Sequence, residues 1–228
     1  MRLILIGVEY AGKTTLANAI TAWLKETTGG GRPFHDHFSI PPSELPDAEQ
    51  EEFLRMSSEL QSMYQRYSNE YHLLPSFYAD PDHMLVGFHI EEAVYAPLYY
   101  SYGDTDDFSA AARAMEKRIL EQAPDTVLIL LKASPEVIAK RLRETPHKHQ
   151  VLQEKDIEHV LQRFEEEYEH SLLDRKFVLD STSATAEETL AEFVARIDPF
   201  LSQSDRLRMM THQALQHNEE FFELPTGL

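Results

Sequence analysis

The chain of 228 residues is 42% hydrophobic, which suits one α/β domain with a full core. Its formal net charge of −18 argues against a broad nucleic-acid or anionic-membrane surface, since both need clustered Lys and Arg. There is no cysteine, so disulfides, thiolate metal sites and a thiol nucleophile are excluded, and no apolar run approaches the roughly 18 residues of a membrane span. The expectation is a soluble, cytoplasmic protein that holds any anion in a local pocket.

The first element is a short apolar strand, Leu3 to Ile6, and the first motif follows it directly. Gly7-Val-Glu-Tyr-Ala-Gly-Lys-Thr-Thr15 is a complete G-x(4)-G-K-T phosphate loop. Its backbone N–H groups, from Gly7, Glu9, Tyr10, Ala11 and Gly12 on to Thr15, can turn inward at phosphate oxygens, and the helix that opens at Lys13 adds its positive end. Lys13 then reaches the β- and γ-phosphates and Thr14 offers its hydroxyl to Mg²⁺. A chance match in a surface turn is disfavoured by the amphipathic helix after it, with Leu16, Ile20, Trp23 and Leu24 on one face.

A glycine run at residues 29–31 stops that helix, and residues 32–40 read as a second strand ending at Pro41-Pro42. One long helix is predicted from about Pro46 to Leu74, with Phe53, Met56, Leu60, Met63, Tyr64, Tyr67 and Tyr71 on one face. Met84 to Phe88 reads as a buried strand, Phe108 to Gln122 as a helix, and Thr126 to Leu131 as a core strand covered on both sides. Ser134-Pro135 caps a helix carrying Lys140, Arg141 and Arg143. A broken stretch at Thr145 to Gln150 precedes a charged helix from Lys155 to Ser171, a strand at Phe177 to Leu179 and a closing helix from Thr185 to Leu201. The alternation predicts an α/β, three-layer P-loop architecture with a parallel sheet flanked by helices. Residues 1–203 form the expected domain, with a lid at about 143–154, and 204–228 a tail or added helix.

With these pieces in order, the chain resembles the nucleoside monophosphate kinases, most closely the thymidylate-kinase-like branch. The resemblance rests on Gly7 to Thr15, Phe88-His-Ile-Glu-Glu-Ala-Val-Tyr95, Ser134-Pro-Glu-Val-Ile-Ala-Lys-Arg-Leu142 and Val178-Leu-Asp-Ser-Thr182, spread over residues 1 to 200. It implies a five-stranded sheet, ATP at the phosphate loop, an acceptor pocket across the sheet edge, a mobile lid, and Ser181 and Thr182 near the adenine. A homodimer is the candidate assembly. The branch usually ends its third strand with Asp-Arg, which helps to hold Mg²⁺ and grips the acceptor phosphate; here that pair falls on Val86-Gly87. Glu91 and Glu92 lie just beyond and could restore the acid, although both also fit a solvated helix start. Glu9 keeps the acid that the branch carries in the loop, while Tyr10 stands where some members have Arg.

Arg141, Arg143, His147, Lys148 and His149 form the dense basic cluster of an acidic chain, suited to closing over a triphosphate or to an ordinary helix end. The two histidines at i and i+2 lack an evident third metal ligand. Asp36 and Phe38, at the end of the second strand, and Tyr95 and Tyr99 are the candidates for contact with the acceptor. The resulting expectation is an ATP- and Mg²⁺-dependent phosphotransferase acting on a nucleoside monophosphate or nucleoside, with Lys13, Arg141, Glu91 and Glu92 as catalytic groups and Thr14 and Glu91 at the metal. The rival is a low-turnover ATP-binding regulatory protein.

Overall fold

The computed structural model describes residues 1–30, 34–36, 41–42, 45–100 and 107–221, the side chains of 36 and 218–221 excepted. Strand β1 (Arg2–Ile6) leads through the phosphate loop into α1 (Lys13–Thr28), and β2 is the short pair His35–Asp36. Helices α2 (Asp47–Leu54), α3 (Ser58–Tyr71) and α4 (Pro75–Tyr78) precede β3 (His83–Val86) and α5 (Phe88–Tyr99). Then come α6 (Phe108–Gln122), β4 (Val127–Lys132), α7 (Pro135–Glu144), α8 (Ile157–Glu169), β5 (Lys176–Asp180), α9 (Ala186–Ile197) and α10 (Gln203–Phe221).

The five strands are parallel in the order β2-β3-β1-β4-β5, with Leu5 beside Val86 and Ile129. Leu3, Ile4, Leu5 and Ile6 are all buried, as are Leu128 to Leu131, because helices cover both faces and leave no polar side. The chain leaves central β1 toward β3 on one side and β4 on the other. That reversal opens a crevice at the carboxyl ends of the strands, where a doubly wound sheet binds ligands.

The long helix predicted from Pro46 to Leu74 is two helices, α2 and α3. Arg55 closes α2, and Ser57 starts α3 by accepting a hydrogen bond from the Leu60 N–H. The predicted apolar face also turns out differently: Leu60, Met63, Tyr67 and Tyr71 are exposed, while Ser62, Gln65 and Asn69 face inward. In the tail, Gln203–Phe221 form a helix packed on α1, tied by Arg208 Nη1 to Asp82 Oδ1 at 2.9 Å. Among the described residues no helix is long and apolar enough to cross a membrane.

Behind the crevice, α5 is braced by a buried polar network. His89 Nε2 lies 3.1 Å from Glu116 Oε1 on α6, and both side chains are fully buried. Glu116 also accepts hydrogen bonds from the Ser171 hydroxyl and the Leu172 N–H, and Arg113 pairs with it. Burial works against the Glu116 charge, but these partners outweigh it and lower its pKa.

Candidate active site

The loop from Gly7 to Gly12 is held where β1 meets α1. A side chain at Gly7 would collide with the backbone carbonyl of Leu131 on β4, so only glycine fits there. Tyr10 holds a positive φ of 70°, a conformation that a non-glycine residue keeps only when its surroundings enforce it. Those surroundings are visible. Arg141 Nη1 donates to the Tyr10 carbonyl at 2.9 Å, and the Tyr10 hydroxyl accepts from the His147 N–H at 3.0 Å and donates to Gln150 Oε1 at 3.1 Å.

Helix α1 starts at Gly12 with no side-chain cap and no acid in its first turn. Its leading N–H groups therefore carry an uncompensated positive end toward the crevice. A cavity of about 820 Å³ opens above it, lined by the loop, Thr14, Thr15, Glu91, Arg141, His147 and Ser181, among others. Lys13 Nζ donates to the Gly7 carbonyl at 2.6 Å and pairs with Glu91 Oε1 at 2.9 Å.

Glu91 reaches that position from α5 because of Gly87. This residue joins β3 to α5 with φ 83°, and a Cβ on it would stand 2.7 Å from Glu91 Oε2. Phe88 follows with a second positive φ, 55°, so the turn after β3 is as constrained as the one after β1. The carboxylate thus lies over the strand end where the Asp-Arg pair was sought. Glu92 does not share the place: its Oε2 accepts from Asn69 Nδ2 of α3 at 2.6 Å, on the far side of the helix turn. Burial raises its pKa.

Glu9 ties residues 147–152 to the loop. Its Oε2 accepts from the N–H groups of Leu152 at 2.8 Å and Val151 at 3.2 Å, and its Oε1 lies 2.7 Å from His147 Nδ1. The Tyr10 and His147 rings stack with centroids 4.2 Å apart. Outward, Lys148 pairs with Asp47 and His149 with Gln50, so the segment also touches α2. Of the five predicted cations, four line the cavity; Arg143 instead pairs with Glu154 at the surface.

Arg141 belongs to α7 rather than to residues 145–152. Its guanidinium also donates to the Ser181 hydroxyl and carbonyl, at 3.3 and 3.1 Å. Ser181 lines the cavity and donates to the Ala11 carbonyl at 2.7 Å, whereas Thr182 accepts from the Ser134 N–H beside α7.

Tyr95, which lines the cavity, and Tyr99 each have a hydroxyl bonded within the chain. The Tyr95 hydroxyl accepts from the Glu9 N–H at 2.8 Å, and burial raises its pKa well above the ordinary value. Tyr95 is therefore a support under the loop. The Tyr99 hydroxyl donates to Asp156 Oδ2 at 3.0 Å, with its pKa pushed up to about 12, mainly by burial. Both follow from one cause: one turn apart on α5, they face α8 and the segment before it. Asp36 pairs in register with Val86 at the carboxyl end of β2, and Phe38 lies outside the described residues. Among the described residues no group of three or more His, Cys, Asp or Glu could hold a metal, so His147 and His149 gain no further ligand.

The phosphate loop, crevice and strand order together match solved structures of one kind. The chain has the fold of nucleoside and nucleotide kinases. The YorR protein of Bacillus subtilis, solved with phosphorylated GDP, is 19% identical with a TM-score of 0.54, over 88% of this chain and 99% of its own. Deoxyadenosine kinase of M. mycoides, solved with dCMP and dCDP, is 15% identical with a TM-score of 0.54, over 87% and 100%. Thymidylate kinase of Candida albicans is 14% identical with a TM-score of 0.53, over 87% and 91%. No family model and no curated protein matches the sequence. Within this kinase fold, the features sequence reasoning missed are the space at Gly87 and the ties from Glu9 to Val151 and Leu152. A glycine directly before a helix was the available signal for the first; the second has no local signature.

Proposed function

We propose that the protein is an ATP- and Mg²⁺-dependent phosphotransferase that moves the γ-phosphoryl group to a nucleoside monophosphate or nucleoside. The observation that carries this reading is the Lys13–Glu91 pair, which puts a cation and a carboxylate together at the open start of α1. In the transfer, an acceptor oxygen forms a bond to the γ-phosphorus as its bond to the β,γ-bridging oxygen breaks, leaving ADP, and where that oxygen is a nucleoside hydroxyl its proton passes to solvent. Lys13 and the α1 amides hold the β- and γ-phosphates and stabilise the charge that shifts onto the leaving oxygen. Arg141 keeps Tyr10 and Ser181 fixed around the nucleotide.

The Thr14 hydroxyl and the Glu91 carboxylate are hard oxygen donors facing one cavity, and they fit Mg²⁺, which takes few protein ligands beside phosphate oxygens. When bound, the ion neutralises phosphate charge. On the acceptor side Gly87 offers no cation, and Glu92, favoured toward its neutral form, stands with Asn69. That supports a nucleoside as readily as a nucleotide.

The regulatory alternative draws on the lid ties, since Glu9, Tyr10 and His147 already satisfy one another without ligand. One assay separates the two: ADP release with Mg-ATP against nucleosides, nucleoside monophosphates and small alcohols. Acceptor-dependent release from a nucleoside or its monophosphate supports the kinase. Tight ATP binding with no acceptor-dependent release overturns it in favour of the regulatory reading.

A further inference from the structure

The turn that leads into α5 is poorly secured by its own backbone. Gly87 and Phe88 both hold positive φ, and the helix begins without a side-chain cap. Yet Glu91, in the first turn of that helix, meets Lys13 at 2.9 Å. Such a contact needs the direction of the turn to be set by something other than its backbone, and His89 is placed to set it.

Residues two apart on a helix point about 200° from each other. His89 therefore faces away from Glu91, toward α6, where its Nε2 lies 3.1 Å from Glu116 Oε1 with both side chains out of water. Its Nδ1 has no hydrogen-bond partner among the described residues, so the ring donates through Nε2–H. Glu116 is itself held by Arg113, one turn earlier on α6, and by the Ser171 hydroxyl and the Leu172 N–H beyond α8. The anchor is rigid, and a helix tied to it through His89 presents its opposite face, with Glu91, to α1.

Stability alone does not call for this pair. Taking a carboxylate out of water is costly, and apolar residues of similar volume in place of a buried polar pair often leave a fold as stable or more so. A hydrogen bond is directional where an apolar contact is not, and direction is what the strained turn lacks.

We propose that His89 is a positioning residue for phosphoryl transfer: bonded to Glu116, it orients the first turn of α5 so that Glu91 meets Lys13. Its effect on turnover rests on the kinase reading, whereas its effect on the Lys13–Glu91 pair does not. That pair is read without ligand, as the coupling between Lys13→Ala and Glu91→Gln in urea unfolding. Carrying His89→Leu in all four members of the cycle should reduce the coupling by about half or more, and His89→Gln, whose amide donates from near the place of Nε2, should restore it. With Mg-ATP and an acceptor, His89→Leu should lower kcat by about tenfold or more while ATP affinity stays within about twofold, and His89→Gln should keep kcat within about threefold of the parent. Should His89→Leu fail to fold, His89→Asn, whose shorter amide falls short of Glu116, takes its place. Absence of coupling in the parent, coupling unchanged by His89→Leu, or coupling that His89→Gln does not restore each overturns the proposal. A parent that transfers no phosphoryl group overturns the kinase reading instead, and the cycle still decides whether His89 places Glu91.

Discussion

Glu91 occupies the space that a side chain at Gly87 would need, with Oε2 2.7 Å from the position of the missing Cβ. A carboxylate from the following helix thereby stands beside the strand end where the resemblance leads one to expect an acid. Gly87→Ala sets the new methyl against that carboxylate in a backbone conformation at φ 83° that favours glycine. The expected cost is about 1 to 3 kcal/mol in denaturant unfolding, together with loss of phosphoryl transfer. A variant as stable and as active as the parent would show that the glycine is incidental.

Removing the charge of Glu91 tests its role directly. Glu91→Gln should lower turnover by about 100-fold, equivalent to roughly 2.7 kcal/mol of barrier, with ATP affinity little changed. Glu92→Gln keeps the bond to Asn69 and removes a charge that burial already disfavours, so turnover should stay within about threefold. The reverse ranking in steady-state kinetics would move the acid to Glu92.

Lys13 has two tasks, and a double-mutant cycle divides them. Mg-ATP at a hundredfold excess over Kd should stabilise the parent by about 2.7 kcal/mol, and Lys13→Ala should lose most of that gain. Without ligand, Lys13→Ala strands the buried Glu91 carboxylate and should itself destabilise the protein. Adding Glu91→Gln to Lys13→Ala should recover part of the loss in thermal melting. Strict additivity would mean that the pair contributes nothing.

The histidine at the start of β3 sets an acid limit. His83 is buried against the rings of Phe77 and Tyr78, and burial lowers its pKa to about 3. Its folded pKa lies below the unfolded value near 6.5, so the unfolded chain takes up the proton first, and stability falls as pH drops from about 6.5 toward 3. The contribution is about 1.4 kcal/mol per pH unit. His83→Phe should flatten the stability profile between pH 6 and 4 by about that slope. Parallel profiles in urea titrations would contradict it.

Glu9→Ala removes the acceptor for two lid amides and the partner of His147. Amide exchange at residues 147–152 should quicken by about tenfold or more, while the core strands stay protected. Unchanged exchange there would show that Tyr10 and α2 hold the segment without Glu9.

The local pattern made much of this legible. The phosphate loop, β1, β4 and α6 follow from motif and periodicity, and the Ser134-Pro135 cap marks α7 on sight. Less visible was anything that depends on which side of an element meets the core. The spacing of Leu60, Met63, Tyr67 and Tyr71 defines a helix face but not its direction, and only the Asn69 bond to Glu92 shows that the polar side turns inward. The same limit hid the bonds that the Tyr95 and Tyr99 hydroxyls make to the Glu9 N–H and to Asp156, although Tyr95 also lines the cavity. Choosing between adjacent Glu91 and Glu92 likewise required the turn at Gly87, because neighbours on a helix point about 100° apart.

Glu9 sits inside the phosphate loop and also anchors residues 151 and 152, so the two regions share one carboxylate. Thermodynamic reciprocity then applies: whatever free energy a bound phosphate contributes to the arrangement of the lid, a rearranged lid returns to phosphate affinity in equal measure. A substitution in residues 147–152 should thus register as a change in the affinity of the cavity for phosphate.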